Sequence, residues 1–175
     1  GKKVGCSDYS DMTIFSFHPV KNITSGEGGM VTTNDPELFR KLKFYRNSGI
    51  ERPEGAPAWY YEVQDFSSNY NMTDMQAALG LSQLNRLDLF VEKRRALVSR
   101  YRELLEGKRH IRLFDPSFDP LTAYHLMVVQ IDFQALKTSR AEVMQKLKEA
   151  NIGSQYHYIR LYRHPCYRDK IGYIE

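Results

Sequence analysis

Apolar and polar residues along the first fifty positions predict a β-hairpin followed by a helix. Residues 12–17 and 29–33 carry the alternation and β-branched residues of two strands, and the turn Ser25-Gly26-Glu27-Gly28 lies between them. Asp35-Pro36-Glu37 then supplies an N-cap, a first-turn proline and a first-turn acid. Apolar residues recur at helical spacing after this cap, so a helix is predicted to run until Asn47-Ser48-Gly49.

Two further helices are predicted after residues 51–64, a stretch rich in proline, glycine and aromatic residues that is expected to form an irregular loop or an interface arm. Thr73 and Gln76 form a capping box for the first of these helices. Its apolar face is expected to be buried through Met75, Ala78, Leu79, Leu84 and Leu87. The second helix is predicted over residues 89–106 and is expected to bury Phe90, Leu97, Tyr101, Leu104 and Leu105. Its solvated face is expected to carry Glu92, Lys93, Arg94, Arg95 and Arg100.

Beyond Gly107 the long helical patterns give way to short strand patterns and turns, and a domain boundary is predicted near residues 106–110. Short strands are expected at 111–114, 123–131 and 154–159. Between the last two, Ser139 and Glu142 form a capping box for a helix with Val143, Met144 and Leu147 facing inward. Residues 1–107 are therefore predicted to belong to a larger domain and residues 108–175 to a small α/β domain.

Composition places the chain among ordinary globular proteins. Its 175 residues are 42% hydrophobic and 26% charged, and no apolar run approaches the ~20 residues of a membrane span. Neither a secretory leader nor a CxxC motif is visible, so a cytoplasmic protein with reduced Cys6 and Cys166 is expected. The net charge of +4 is compatible with anionic ligands, but no nucleic-acid-binding signature accompanies it and the histidines lack metal-ligand spacing. We predict no metal, nucleic acid or membrane partner.

Lys21 is the residue with the clearest candidate chemistry. It follows an apolar strand and precedes the glycine-rich turn, a place where a lysine can be held beside aromatic rings. A lysine must lose its proton before it attacks an aldehyde, and burial favours the neutral form. The alternative is an ordinary solvated lysine in a loop.

Two ordered motifs give the chain a family resemblance. The run from Phe15 to Met30 is similar to the pattern S-F-H-x-x-K-x-I-T-x-G-E-G-G of the DegT/DnrJ sugar-nucleotide aminotransferases. The matching positions are Ser16, Phe17, His18, Lys21, Ile23, Thr24, Gly26, Glu27, Gly28 and Gly29. The run from Ser68 to Gly80 resembles a second signature, G-x-N-Y-R-M-T-D-x-Q-A-A-L-G, and residues 152–158 resemble a weaker one near the substrate site.

The resemblance implies the C-terminal part of an α/β, fold-type I pyridoxal-phosphate aminotransferase: the end of the large domain and most of the small one. Lys21 corresponds to the lysine that forms a Schiff base with the cofactor and shuttles the substrate proton. Ser16 corresponds to a serine that binds the cofactor phosphate, and Asn69 to an asparagine that the neighbouring subunit of a homodimer contributes to that phosphate. His157 and Tyr158 correspond to residues near the sugar-nucleotide pocket, although a packing role is equally compatible with both.

Glutamate as amino donor and a keto nucleotide-sugar as acceptor are the substrates that the resemblance implies, for the synthesis of surface polysaccharide such as lipopolysaccharide. The aromatic loop around Trp59 is most similar to the subgroup that acts on UDP-linked 4-keto-6-deoxy sugars. Asn71 replaces the arginine that usually follows Asn-Tyr, which puts that arginine's contacts in doubt. Because the family is about twice as long, the chain is expected to be a fragment, and a non-catalytic remnant or interaction module is the alternative.

Overall fold

A computed structural model describes residues 2–172 of the chain. These residues form five α-helices and three two-stranded antiparallel sheets. The contacts between them divide the chain into two compact units: one runs up to Leu104 and includes Asp115–Met127, and the other contains Leu105–Phe114 and the chain from Val128 onward. The assignment of residues 1–107 and 108–175 to a large and a small domain stays a prediction.

The predicted hairpin is present in the first unit. Strand β1 is Thr13–Ser16 and strand β2 is Gly29–Thr32, and they pair antiparallel from Thr13 with Thr32 to Ser16 with Gly29. Side chains alternate between the two faces of a strand, so Thr13 and Phe15 are half-buried while Ile14 and Ser16 are exposed. The hairpin therefore presents Ser16 and the loop that follows it on one end of the sheet.

Helix α1 spans Pro36–Arg46 and begins where the sequence predicts. The carboxylate of Asp35 accepts hydrogen bonds from the backbone N–H groups of Glu37 and Leu38, at 2.7 and 3.1 Å, which satisfies two of the donors that every helix leaves unpaired at its start. The arm that follows is irregular as predicted, apart from the two-residue strands β3 (Ile50–Glu51) and β4 (Glu62–Val63) at its ends.

Helix α2 spans Asp74–Leu84, and the predicted Thr73–Gln76 capping box is formed. The predicted buried face is wrong for most of its members, since Met75 is 83% exposed and Leu84 is 51% exposed. The half-buried positions are instead Gln76, Gly80 and Gln83. This face turns inward because Gln76 and Gly80 pack against the glycine-rich turn of the hairpin.

Helix α3 spans Leu87–Leu105. Its buried stripe is rotated from the predicted one: Val98 is 4% exposed, whereas Leu97 and Leu104 are more than half exposed. Arg94 and Arg95, predicted to be solvated, are half-buried. The arginines lie on the inner face because their guanidinium groups bond to backbone carbonyls of the same unit, which apolar side chains cannot do.

The second unit contains strands β5 (Ile111–Arg112) and β6 (Gln130–Ile131), paired antiparallel, and helices α4 (Arg140–Glu149) and α5 (Pro165–Ile171). The Ser139–Glu142 capping box of α4 is formed, as predicted. The strands predicted over 123–131 and 154–159 are wrong except at β6: residues 154–159 form no strand. A strand exists only where a neighbour accepts its backbone hydrogen bonds, and no described segment pairs with 154–159.

Candidate active site

The loop that carries Lys21 is closed at its base by the main chain of Phe17. The Phe17 carbonyl accepts hydrogen bonds from the Ser25 N–H at 3.1 Å and from the Thr24 hydroxyl at 2.9 Å. The Phe17 N–H donates to the Gly28 carbonyl at 2.9 Å, which extends the hairpin ladder by one bond. Within the loop, the Lys21 N–H donates to the His18 carbonyl at 2.9 Å. The backbone of Lys21 is therefore fixed by bonds on both sides of it.

The side chain of Lys21 is half-buried. Among the residues that the structure describes, its Nζ atom forms no hydrogen bond or ion pair, so the amine is not committed to a carboxylate. The adjacent Asn22 has a buried Nδ2 atom without a hydrogen-bond acceptor in the described chain, and a buried donor of this kind is costly unless something accepts its proton. The loop therefore carries an uncommitted amine and, on the next residue, an unsatisfied donor, which are groups that a ligand with a carbonyl carbon and acceptor oxygens would use.

Ser16 and His18 lie at the mouth of the same loop, and both are exposed. The Ser16 hydroxyl accepts a weak hydrogen bond from the His18 N–H at 3.4 Å, which leaves its own proton available to a ligand. The His18 Nδ1 atom accepts from the Val20 N–H at 3.3 Å, and its Nε2 atom lies 3.8 Å from a carboxylate oxygen of Glu27. His18 thus braces the loop.

The glycine-rich turn docks on helix α2, which brings the two sequence motifs together. The Gln76 Nε2 atom donates to the Glu27 carbonyl at 3.3 Å. Ser25 is 1% exposed. A Cβ atom built on Gly80 would lie 3.6 Å from the Cβ atom of Ser25. Gly28 has φ +143°, and a Cβ atom there would lie 2.7 Å from both the Met72 Cε and the Ser25 Oγ atoms. Glycine is favoured at this position, because an L-residue is strained at that φ and its Cβ atom would displace the Met72 and Ser25 side chains.

Asn69 lies in a cluster of three amides. Its Oδ1 atom accepts from the backbone N–H of Asn71 at 2.9 Å and from the Asn71 side chain at 3.0 Å. The same Asn71 Nδ2 atom also lies 3.3 Å from the Asn47 Oδ1 atom. The residue that replaces the usual arginine therefore occupies the acceptor side of Asn69. The Nδ2 group of Asn69, a double donor, is the part of its side chain suited to an anion.

The C-terminal end of α1 holds the segment that leads to Asn69. The Tyr45 hydroxyl donates to the Asp65 carboxylate at 2.7 Å, and this hydrogen bond lowers the pKa of Asp65 and raises the pKa of Tyr45. The Ser67 hydroxyl donates to the Tyr45 carbonyl at 2.7 Å, and the Tyr70 N–H donates to the Arg46 carbonyl at 3.0 Å. Asn69 is positioned from α1 rather than from the lysine loop.

Three arginines of α3 bind the chain on either side of the site. Arg94 donates to the His125 carbonyl at 3.2 Å and approaches the Lys21 carbonyl at 3.5 Å. Arg95 donates to the Thr122 carbonyl at 2.9 Å. These contacts are the main feature that sequence reasoning missed, because a basic run at helical spacing carries no signal that distinguishes solvated arginines from arginines that bind carbonyls.

The third arginine, Arg102, forms a two-point ion pair with Asp119, at 2.5 and 2.7 Å. Asp119 lies in the 3₁₀ helix Pro116–Leu121 and also accepts from the Tyr124 hydroxyl. The hydrogen bond from Arg102 lowers the pKa of Asp119 below its ordinary value. Paired guanidinium and carboxylate groups of this geometry are among the stronger polar contacts in proteins.

This ion pair predicts an acid dependence of stability. Because the pKa of Asp119 is lower in the folded than in the unfolded state, the unfolded state binds more protons and acid favours unfolding. Asp119→Asn should cost about 1 kcal/mol of unfolding free energy at pH 7. The difference between variant and wild type should shrink as pH falls below the ordinary value of 3.8. Urea unfolding at pH 7 and pH 3 measures it, and a pH-independent difference would contradict the assignment.

His157 and Tyr158 lie in the second unit, outside any helix or strand, and both are exposed. Their rings form an edge-to-face pair with centroids 4.5 Å apart. The preceding residue, Tyr156, is covered by the guanidinium of Arg140, which lies 3.9 Å from the ring centroid. This cation–π contact ties the segment to the first turn of α4.

Residues 1–175 match the model of the DegT/DnrJ/EryC1/StrS aminotransferase family. The chain belongs to this family. It is 38% identical to the spore coat polysaccharide biosynthesis protein SpsC of Bacillus subtilis, over 94% of the chain and 44% of SpsC. It is 34% identical to the UDP-4-amino-4,6-dideoxy-N-acetyl-beta-L-altrosamine transaminase of Campylobacter jejuni, over 99% of the chain and 45% of that enzyme.

The structure is also similar to a solved structure described as a putative sugar aminotransferase. It matches the putative sugar aminotransferase Spr1654 of Streptococcus pneumoniae in its PLP form with a TM-score of 0.80 and 28% identity, over 99% of the chain and 43% of that protein. The predicted α/β class is confirmed, and the chain corresponds to part of a fold-type I sugar aminotransferase. Spr1654 has been solved in PMP and PLP forms, so pyridoxal phosphate is the cofactor that this family membership indicates.

The chain spans about half the length of the curated relatives it matches. No helix within residues 2–172 combines the length and the apolar character required to cross a bilayer. In the same residues, no three histidine, cysteine or acidic side chains cluster in a way that could hold a metal ion.

Proposed function

We propose that the protein carrying this chain transfers an amino group from glutamate to a keto nucleotide-sugar. Two observations carry the proposal: the Gln76–Glu27 hydrogen bond docks the two family motifs on each other, and the half-buried residue Lys21 has an Nζ atom without a hydrogen bond or ion pair within residues 2–172. The named activity of the C. jejuni relative supports a UDP-linked 4-keto-6-deoxy-N-acetylhexosamine as acceptor. The name of the B. subtilis relative supports a place in surface polysaccharide synthesis.

Each site residue then has a distinct task. Pyridoxal phosphate, when bound, supplies an electron sink for the electrons released when a C–H bond next to nitrogen breaks. Lys21 would hold the cofactor through its Nζ atom, and its free Nζ atom would accept the proton from the substrate carbon and deliver it to the C4′ carbon of the cofactor. Ser16 would donate a hydrogen bond from its hydroxyl group to the phosphate, since its oxygen accepts only a weak hydrogen bond and its own proton is free for a ligand.

Asn69 serves the phosphate of a neighbouring subunit in this proposal, so the protein acts as a homodimer with shared sites. Its acceptor oxygen is occupied by Asn71, which leaves the Nδ2 donor for the anion. His157 and Tyr158 contact the nucleotide-sugar, and their exposure leaves both rings accessible to it. We place the protein in the cytoplasm, where nucleotide-sugars are made.

The test is amino transfer by the protein that carries this chain. With pyridoxal phosphate, ¹⁵N-glutamate and a UDP-4-keto-6-deoxy-N-acetylhexosamine, we expect a ¹⁵N-labelled amino sugar and an equal amount of 2-oxoglutarate, both measured by mass spectrometry. The dTDP- and GDP-linked keto sugars serve as matched acceptors, and turnover of one of these alone would reassign the nucleotide. Absence of labelled product from every acceptor, together with absence of bound cofactor, would favour the non-catalytic remnant.

A further inference from the structure

We propose that Gln76 is a positioning residue of the site: its amide couples the N-cap of helix α2 to the turn that fixes the Lys21 loop. The functional part of this proposal rests on the proposed role of Lys21. The two ends of the Gln76 amide have different partners, and only one of them is needed to cap the helix. The other end reaches the lysine segment, 49 residues earlier in the chain.

The oxygen of the amide performs the capping. The Gln76 Oε1 atom accepts from the backbone N–H of Thr73 and from its hydroxyl, both at 3.0 Å. In return, the Gln76 N–H donates to the Thr73 hydroxyl at 3.3 Å. Glutamate or glutamine can fill this position of a capping box, since each offers a side-chain oxygen. The cap therefore does not explain why the side chain here is an amide.

The nitrogen of the amide binds the turn. The Gln76 Nε2 atom donates to the Glu27 carbonyl at 3.3 Å, and the same carbonyl accepts from the buried Ser25 hydroxyl at 2.7 Å. Both lone pairs of the Glu27 oxygen are thus used. One helical turn further along α2, Gly80 lies against Ser25, since a Cβ atom built on Gly80 would be in ordinary van der Waals contact with the Ser25 Cβ atom at 3.6 Å. The turn therefore contacts α2 at two positions one helical turn apart, through a hydrogen bond at Gln76 and through packing at Gly80.

The residues at the start of this turn also close the loop that carries Lys21. The Ser25 N–H and the Thr24 hydroxyl both donate to the Phe17 carbonyl, so residues 17–25 form a loop whose ends meet. Lys21 lies in the middle of this closed loop. A shift of Ser25 and Glu27 away from α2 is transmitted to Phe17 and hence to the direction of the Lys21 side chain.

Gln76→Glu separates the two roles of the side chain. The variant keeps the capping oxygen and adds a negative charge to the first turn of α2, which the helix dipole favours. It replaces the donor with an oxygen that repels the Glu27 carbonyl. Gln83→Glu makes the same change of charge two turns along α2, at a half-buried position outside these contacts, and serves as the matched control.

Hydrogen exchange is the first readout, and it needs no cofactor. In Gln76→Glu, we expect the amides of residues 25–29 to exchange about tenfold faster than in the wild type, as loss of one hydrogen bond allows, while the amides of α2 stay within twofold. Gln83→Glu should leave residues 25–29 unchanged; because its charge lies in the last turn of α2, where the helix dipole disfavours it, the comparison with this control is made on the turn amides alone. Equal exchange of residues 25–29 in Gln76→Glu and wild type would overturn the proposal, as would equal loosening of α2 and the turn.

The second readout is the Lys21-dependent absorbance band that pyridoxal phosphate gives with the protein. We expect Gln76→Glu to shift the pH midpoint of this band, because the displaced loop puts the Lys21 amine in different surroundings. Gln83→Glu should keep the wild-type midpoint. An unchanged midpoint in Gln76→Glu would show that Gln76 does not position Lys21. If the wild type itself gives no such band, the proposed function of Lys21 fails, and the exchange experiment still decides whether Gln76 holds the turn.

Discussion

Replacement of Lys21 by alanine should reduce amino transfer by about 1,000-fold or more, since the variant lacks both the amine that holds the cofactor and the proton carrier. The fold should be unaffected, because the Lys21 side chain forms no hydrogen bond or ion pair within residues 2–172. Steady-state turnover with glutamate and the preferred keto sugar measures the loss. The unfolding midpoint should stay within a degree or two of the wild type.

Two controls make this result specific to an amine that can be deprotonated. Lys21→Arg keeps the positive charge but cannot lose its proton near neutral pH, so it should be as inactive as the alanine variant. Lys108→Ala removes an exposed lysine elsewhere and should be fully active. Retention of a tenth or more of the activity by Lys21→Ala would mean that another residue supplies the amine.

Replacement of Gly49 by alanine should destabilise the first unit by about 3 kcal/mol or more. Gly49 is buried and has φ +66°, and a Cβ atom there would lie 2.2 Å from the Asp65 carbonyl oxygen, a backbone atom that cannot rotate away. The two chains are also bonded at this crossing, since the Gln64 N–H donates to the Gly49 carbonyl at 2.9 Å. Urea unfolding followed by circular dichroism measures the loss.

Gly55 provides the matched control for this variant. It has φ +76°, close to the value at Gly49, but apart from its two chain neighbours no atom of residues 2–172 lies within 4 Å of a Cβ atom built on it. Gly55→Ala therefore incurs only the left-handed backbone cost of about 1 kcal/mol. If the two variants lose the same stability, the close approach to Asp65 is not what requires glycine at position 49.

The sequence predicted local structure well wherever a short-range signal exists. Asp35, the Thr73–Gln76 pair and the Ser139–Glu142 pair each mark a helix start that the structure confirms. Capping depends on residues three or four apart, so all the information it needs is local. The hairpin around Lys21 was predictable for the same reason, because its turn is built from adjacent glycines.

Prediction failed where burial depends on a distant partner. On α3, hydropathy predicted that Leu97 is buried and Arg94 is exposed, and the structure shows the reverse. The arginines of this helix face inward because they bind the carbonyls of Thr122 and His125. These carbonyls lie about 30 residues away in sequence, so no local pattern reveals them. Residues 154–159 carry a strand pattern without a paired neighbour in the described chain. Of the site residues, Lys21 lies in the loop that follows Ser16 at the end of β1, and the roles of Lys21, Ser16, Asn69, His157 and Tyr158 all stay predictions.

The arginines of α3 have a consequence for how this protein can diverge. Arg94 and Arg95 bind the main-chain oxygens of His125 and Thr122, and every amino acid carries such an oxygen. The side chains at positions 122 and 125 can therefore change, by natural drift or by library mutagenesis, without removing either hydrogen bond. A segment that is bound through its main chain can acquire new specificity while the helix that binds it stays the same.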